Sequence, residues 1–184
     1  MFKAQLSTFQ TALNDLQTPS NFSAWAAKLS QPNFATADLT TSAVAGSYQL
    51  DIARLARPSI WNVSGFTSEA DALTWYNAAG QASIKSAASA TVFASASGQY
   101  VLSLKANATG TAAGFSVSGA SLTGVTATEY QTAQDSQFNL NGVSFTRASN
   151  TVSDALAGVT LNLAAITTSP VTLSVSQAES SAKA

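Results

Sequence analysis

The sequence predicts a mainly β, antiparallel protein that begins with a short helical segment. Three segments, 46–56, 98–106 and 170–175, alternate apolar and polar residues. That period of two is typical of strands with one buried face. An Asn141-Gly142 pair stands between two further alternations, and this dipeptide is the strongest short signal for a hairpin turn. Frequent Gly, Ser and Thr residues between the segments favour many turns, as antiparallel sheets require.

The N-terminal segment carries a heptad pattern. Its apolar residues are spaced by 4, 3, 4 and 3 positions, at Phe2, Leu6, Phe9, Leu13 and Leu16. This spacing is that of a coiled-coil or antiparallel-bundle seam. Because a helix of this length is marginal alone, we expect its partner helix to lie outside these 184 residues.

A second helix is predicted over residues 20–29. Its apolar side chains fall on one helical face: Phe22, Trp25, Ala26 and Leu29. Ser20 or Asn21 can cap its first turn, and Pro32 ends it.

The strands at 46–56 and 98–106 share a Gly-x-Tyr-x-Leu pattern. The pattern is either an internal repeat or two hairpin strands that are each entered through a glycine turn. We favour the second interpretation. The third strand, at 170–175, places Val171, Leu173 and Val175 on one face.

The hairpin at Asn141 and Gly142 sets a register. A two-residue turn puts Leu140 opposite Val143 and Phe138 opposite Phe145, with all four side chains on one face.

The following segment predicts one helical turn and then a strand. Asn150 or Ser153 can cap a turn through Asp154 and Leu156, and Gly158 suits a left-handed ending. Alternation of Val159, Leu161 and Leu163 predicts the next strand.

Composition argues against an enzyme. The chain has Cys 0 and His 0, so it offers no Ser-His-Asp triad, no Cys nucleophile and no thiolate or imidazole metal ligand. Glu69 and Asp71 are interpreted as a solvated loop pair rather than catalytic carboxylates. A serine hydrolase would need a general base, and the sequence shows none. We expect no metal and no cofactor.

Charge also limits the partners. Only 9% of the residues are charged and the net charge is -1. The eight basic residues are scattered, which is not the clustered pattern of a nucleic-acid site. The sequence shows no signal-peptide pattern and no apolar run long enough to span a bilayer, so we expect no membrane insertion.

Sixteen positions in the run from 141 to 163 form one ordered pattern: Asn141, Gly142, Val143, Arg147, Ser149, Asn150, Thr151, Val152, Ser153, Asp154, Ala155, Gly158, Val159, Thr160, Leu161 and Leu163. This pattern resembles that of the bacterial flagellar filament cap family, also called hook-associated protein 2. Segment 46–56, the heptad start and the segment from 98 resemble the family more loosely. Residues of about 60–97 depart from the family pattern.

This resemblance implies a domain organisation. A helical leg remnant is expected at 1–37, and one β-domain is formed from 38–60 plus 126–177. A second β-domain at 61–125 is inserted into the first, and 178–184 form a flexible tail.

The resemblance also implies a structural, non-enzymatic function at the distal tip of the flagellar filament. Such a cap retains exported flagellin and promotes its polymerisation. Its partners are other copies in a ring and flagellin, and it leaves the cell through the flagellar secretion channel without a cleaved signal peptide. Asn141, Gly142, Asn150, Asp154 and Gly158 are then structural motif residues.

The alternative is a surface adhesin that binds a host glycan or mucin. Exposed aromatic residues are the signature of such a surface, and Trp61, Trp75 and Tyr76 lie in the divergent, loop-like middle of the chain. The opposing interpretation is that Trp75 and Tyr76 belong to the core of a small domain, because large aromatic residues are mostly buried.

Overall fold

A computed structural model describes residues 3, 5–10, 25–78, 81–95, 97–117 and 124–178. About half of them form strands in three antiparallel sheets, so the predicted mainly β fold class is confirmed. In chain order the elements are β1 (Trp25–Leu29), β2 (Ala35–Leu39), β3 (Gly46–Arg54), β4 (Ile60–Phe66), α1 (Glu69–Asn77), α2 (Ala82–Ala87), β5 (Ala88–Ala94), β6 (Tyr100–Ala106), a 3-10 turn (Thr111–Ala113), β7 (Thr126–Gln131), β8 (Ser136–Leu140), β9 (Val143–Arg147), β10 (Thr151–Leu156), β11 (Val159–Leu163) and β12 (Val171–Gln177).

The strand orders are β1-β12-β3-β8-β9, β10-β11-β2 and β5-β6-β4-β7. The chain divides into two compact units. The first unit comprises Met1–Asp51, Asn139–Val143 and Thr151–Ala184, and the second comprises Ile52–Phe138 and Ser144–Asn150. The predicted insertion at 61–125 falls within the second unit, and its bounds stay a prediction.

The core of the first unit comes from strands that are distant in sequence. Strand β12 pairs with β1 and β3, and β11 pairs with β2 and β10. Every second residue of β11 and β12 is buried up to Val175, because alternate side chains of a strand point to opposite faces. The predicted strands at 46–56 and 170–175 are therefore confirmed as β3 and β12.

The predicted helix over 20–29 is wrong for residues 25–29. These residues form β1, with Trp25 opposite Gln177 and Leu29 opposite Leu173. Trp25, Ala27 and Leu29 are its half-buried side chains, so the segment also has a period of two. Pairing with a remote strand overrides the local helical pattern. Strand β2 at Ala35–Leu39 overlaps the end of the helical leg predicted over 1–37. That prediction is therefore wrong for residues 25–29 and 35–37. Residues 20–24 lie outside the described residues.

The heptad segment is helical at residues 5–10. Its two described seam residues, Leu6 and Phe9, are 49% and 62% exposed. Phe2, Leu13 and Leu16 lie outside the described residues, as does most of the predicted tail, 179–184.

The Asn141-Gly142 turn has the predicted conformation. Asn141 has φ 50° and Gly142 has φ 82°, and both values are positive, as a type I′ turn requires. Phe138 stacks on Phe145, with 5.3 Å between ring centroids and 13° between ring planes. Val143, by contrast, is 58% exposed.

The helical turn predicted through Asp154 and Leu156 is wrong. Residues Thr151–Leu156 form β10, in which Val152 pairs with Leu161 and both are buried. Burial of this cross-strand pair favours a strand over a capped turn. Gly158 does have positive φ, at 71°, but it lies in the turn between β10 and β11.

The second unit is built on the four-stranded sheet. Helices α1 and α2 contact the sheet, and one apolar cluster joins them: Val63, Phe66, Ala72, Ile84, Ala88, Leu102, Leu104 and Val117.

The interpretation of this middle segment as loop-like, with Glu69 and Asp71 in a loop, is wrong. Ser68 caps α1, because its Oγ accepts the N–H of Asp71 at 3.1 Å. Hydrogen bonds from Ser68 and Thr67 hold the pKa of Asp71 below its ordinary value.

We expect Gly158→Ala to destabilise the protein far more than Gly142→Ala. Both glycines have positive φ, which costs another residue about 1–2 kcal/mol. A Cβ at Gly142 would meet nothing within 4 Å, whereas one at Gly158 would lie 2.3 Å from the Ala43 nitrogen. Relieving such a clash costs about 1–3 kcal/mol more. Urea unfolding of both variants measures the difference, and equal midpoints would contradict this close packing.

Candidate functional site: a neutral sheet face and a polar junction

The face of the four-stranded sheet that points away from its apolar cluster is almost free of charge. Its residues pair directly across β5, β6, β4 and β7. We call them the outer face: Ser89, Thr91 and Phe93; Val101, Ser103 and Lys105; Ile60, Asn62 and Ser64; Thr126 and Thr128. All are exposed or half-buried. Lys105 is the one charged member, and most of the others carry a hydroxyl or amide group.

One row of the outer face runs across the whole sheet. Thr91 pairs with Ser103, Ser103 with Asn62, and Asn62 with Thr128. These short side chains make a shallow surface that can donate and accept hydrogen bonds without an ion pair. The centres of protein–protein interfaces carry few charged residues, and the outer face has one in eleven, close to the 9% of the whole chain. Its low charge and its hydroxyl and amide groups suit contact with another protein surface.

Both outer strands of this sheet expose an aromatic residue. Phe93 on β5 is 55% exposed, and Tyr130 on β7 is 73% exposed. Neither residue is among the predicted contact residues. A signal was present for Phe93, because it follows Ser89 and Thr91 on the polar side of an alternating strand.

The three aromatic residues predicted as surface contacts pack against the apolar cluster. Trp61 Nε1 donates to the carbonyl oxygen of Phe115 at 2.9 Å. The Trp75 ring meets Phe66 edge-on, with 6.0 Å between centroids. The Tyr76 hydroxyl donates to the carbonyl oxygen of Ala88 at 2.9 Å. All three aromatic side chains are half-buried, which for Trp75 and Tyr76 is what the core interpretation expects.

The side chain of Asn150 makes two hydrogen bonds to the buried backbone of Ala56. Its Oδ1 accepts the Ala56 N–H at 2.7 Å, and its Nδ2 donates to the Ala56 carbonyl at 3.0 Å. Ala56 is 4% exposed, so water cannot replace these bonds easily. The predicted helix cap at Asn150 is wrong, since the side chain serves a backbone 94 residues away.

Two glutamine side chains bond the same stretch of backbone in the second unit. We call the side chains of Gln131, Gln134 and Asn150 around segment 55–58 the polar junction. Gln134 donates from Nε2 to the Leu55 carbonyl at 2.7 Å, and its backbone exchanges two bonds with Arg57. Gln131 donates from Nε2 to the Pro58 carbonyl at 2.8 Å. The irregular segment 55–58 therefore has each of its carbonyls hydrogen-bonded.

Asn141 acts in a similar way in the first unit. Its N–H donates to the Gln49 carbonyl at 2.9 Å, and its Oδ1 accepts the Gln49 N–H at 2.7 Å. Two motif asparagines thus bind backbone that lies far away in sequence: Asn141 binds Gln49 of β3, and Asn150 binds Ala56 of the irregular segment. Asp154 is an exposed residue of β10.

A shallow cavity of about 560 Å³ adjoins the junction. It is lined by Pro58, Lys105, Ala106, Asn107, Ala108, Thr109, Ala148 and Ser149.

Within the described ranges, no three His, Cys, Asp or Glu residues are grouped to hold a metal ion. Glu69 and Asp71 both lie in the first turn of α1, where residues two apart do not share a helical face. No helix among the described residues is long and apolar enough to cross a membrane.

We expect Asn150→Ala to lower the free energy of unfolding by about 2–4 kcal/mol, because two buried backbone groups at Ala56 lose their partners. Asn107→Ala is the matched control, since Asn107 is exposed and its side-chain bond to Ser86 measures 3.4 Å. The control should cost less than about 0.5 kcal/mol. Chemical denaturation gives both values, and equal effects would show that the Asn150 contact is unimportant.

Two family models match the two ends of the chain, and one curated relative matches nearly all of it. A model of the N-terminus of flagellar hook-associated protein 2 matches residues 1–59, and a model of the C-terminus of the same family matches residues 133–184. The B-type flagellar hook-associated protein 2 of Pseudomonas aeruginosa is 28% identical over 233 residues. That match covers 99% of this chain and 49% of the relative, so the chain spans about half the length of the curated protein it matches.

Solved structures show the same likeness. The D1-D2-D3 domains of the flagellar cap protein FliD from Escherichia coli are 27% identical, with a TM-score of 0.67 over 97% of this chain and 66% of that chain. The D2-D3 domains of FliD from Serratia marcescens share the fold at 18% identity, with a TM-score of 0.61 over 78% of this chain and 100% of that chain. The two family models together cover more than half of the sequence, and the chain belongs to the flagellar hook-associated protein 2 family.

Proposed function

We propose that this chain is the head region of a cap at the distal tip of the bacterial flagellar filament. There it retains exported flagellin and promotes its polymerisation, without making or breaking a covalent bond. Membership of the family supports the flagellar role. The observation that carries the contact role is the outer face, which is broad, hydroxyl-rich and nearly neutral.

A neutral face suits a surface that must dock repeatedly. Exposed ion pairs contribute little to stability and are screened by salt, but they do set register between partners. A cap that moves against a helical filament end has to release and re-form its contacts as each flagellin is added. Hydroxyl and amide groups permit this, because they can exchange partners with water at small net cost.

The proposed partners are flagellin and further copies of the chain, which form a ring. The protein reaches the tip through the flagellar secretion channel. In this organisation the family-matched segments, 1–59 and 133–184, supply the shared domain. The segment between them, proposed as the inserted domain at 61–125, supplies the outer face.

The adhesin alternative relied on Trp61, Trp75 and Tyr76. Their packing against the apolar cluster leaves them little surface for stacking on a glycan. We expect acrylamide to quench the fluorescence of Trp61 and Trp75 less than that of free tryptophan, as judged in a Trp25→Phe variant. Quenching as strong as that of the free amino acid would return these residues to the surface and favour the adhesin.

Charge placed on the outer face should impair capping. In a strain deleted for the gene, we expect Asn62→Lys combined with Ser64→Lys to leave monomeric flagellin in the medium, as the deletion itself does. Both residues lie on the outer face of β4, and two new charges oppose docking on a neutral surface. The matched control is Thr36→Lys with Ser174→Lys, at exposed strand positions of the first unit.

Flagellin in the medium and filament length by electron microscopy are the two measurements. Circular dichroism of the purified variants verifies that both pairs fold. Normal filaments with the β4 pair would exclude the outer face from the capping contact. Normal filaments in the deletion strain itself would exclude the cap function.

A further inference from the structure

Among the strands that the structure describes, β5 pairs with β6 on one edge and is unpaired on the other. The ladder between β5 and β6 continues to Ser95, whose N–H donates to the Gln99 carbonyl at 2.7 Å. Odd-numbered residues of β5 therefore bond to β6, and even-numbered residues point outward. The Tyr76 hydroxyl bonds to the carbonyl of Ala88, which agrees with this assignment. The outward backbone groups of Ala90, Val92 and Ala94 remain, and no described strand pairs with that side.

This edge lacks the usual protection. Natural edge strands carry charged residues, prolines or bulges that prevent pairing with other chains. β5 reads ASATVFA, without charge or proline, and its register with β6 is unbroken over all seven residues. The opposite edge, β7, has Glu129 and a register shift between Ile60 and Trp61 of its neighbour. Of the two edges, β5 is the one open to pairing.

The open edge complements itself. From these features we infer that β5 pairs antiparallel with β5 of a second copy of this chain, with Val92 opposite Val92. This register sets Ala90 opposite Ala94, so all three outward residues of each strand bond to the partner. It also sets Thr91 opposite Phe93 on the outer face, twice per dimer. An aromatic residue beside a β-branched one is a favourable cross-strand pair, and the contact covers the 55% exposed Phe93.

Charge does not oppose this pairing, because β5 contains no charged residue. The contact is short, so we expect a weak dimer whose population rises with protein concentration. It joins two four-stranded sheets into one sheet with a continuous outer face. The inference does not depend on the proposed function, since its test uses purified protein.

Disulfide trapping tests the register, because the chain has Cys 0. Directly opposite residues in a non-hydrogen-bonded antiparallel pair have Cα atoms about 4.5 Å apart, within the range that a disulfide spans. A mixture of Thr91→Cys and Phe93→Cys chains should form a mixed disulfide dimer under mild oxidation. A mixture of Thr128→Cys and Phe93→Cys is the control, since Thr128 is exposed on the same face at the other edge.

Trapping of the 91–93 pair well above the control supports the two-fold contact. Equal trapping of the 128–93 pair would indicate pairing of β5 with β7 and overturn it. Absence of trapping at every concentration would overturn it as well.

Lysine substitution tests the same contact without a cross-link. Thr91→Lys should raise the dimer dissociation constant at least about tenfold, because each dimer loses two Thr–Phe pairs and brings two lysines into diagonal contact. Thr128→Lys should change it less than about twofold, since the residue lies outside the contact. Mixing Thr91→Lys with Thr91→Glu chains should restore association. Sedimentation equilibrium measures all three, and an unchanged constant for Thr91→Lys would place self-association elsewhere.

Discussion

Strand β12 lies between β1 and β3, and the first unit depends on that position. Leu173 of β12 is fully buried, opposite Leu29 on one side and Tyr48 on the other. A similar closure joins β11 to β2, where Leu161 faces Ala37. Each pairing joins residues more than a hundred positions apart, so the chain must close a long loop before these contacts can form. The two family models match these same distant segments, 1–59 and 133–184.

The segment between these family-matched ends has a sheet and an apolar cluster of its own. Residues 60–117 carry β4, β5 and β6, the two helices and the 3-10 turn, and β7 completes their sheet. The buried residues described for their apolar cluster lie in this segment, and Val125 and Ala127 next to or within β7 pack against them. The polar junction fixes the backbone at 55–58, where the chain enters this sheet, through side chains of Gln131, Gln134 and Asn150. Sequence change on the outer face therefore need not disturb the family-matched core.

Features that depend on a few neighbouring residues, such as the turn at Asn141 and Gly142, were predicted correctly from the sequence. The Asn141-Gly142 turn depends on two positive φ values, and the dipeptide identifies it directly. The strands at β3 and β12 follow from alternation alone. Residues 25–29 were misinterpreted because Trp25, Ala26 and Leu29 suit a helical face as well as Trp25, Ala27 and Leu29 suit a strand. The deciding contact, with Leu173 and Val175, lies far away in sequence. Asn150 was misinterpreted for the same reason, since its remote partner Ala56 leaves no local signal. Helix α1 was missed although Ser68 and Asp71 carry a capping signal.

We propose a structural role for this chain at the filament tip. The most direct test is immunogold electron microscopy of filaments from cells that express the full-length gene product with an epitope tag. We expect gold only at the distal end of each filament. Gold spread over the cell surface, with unlabelled tips on filaments of normal length, would contradict it.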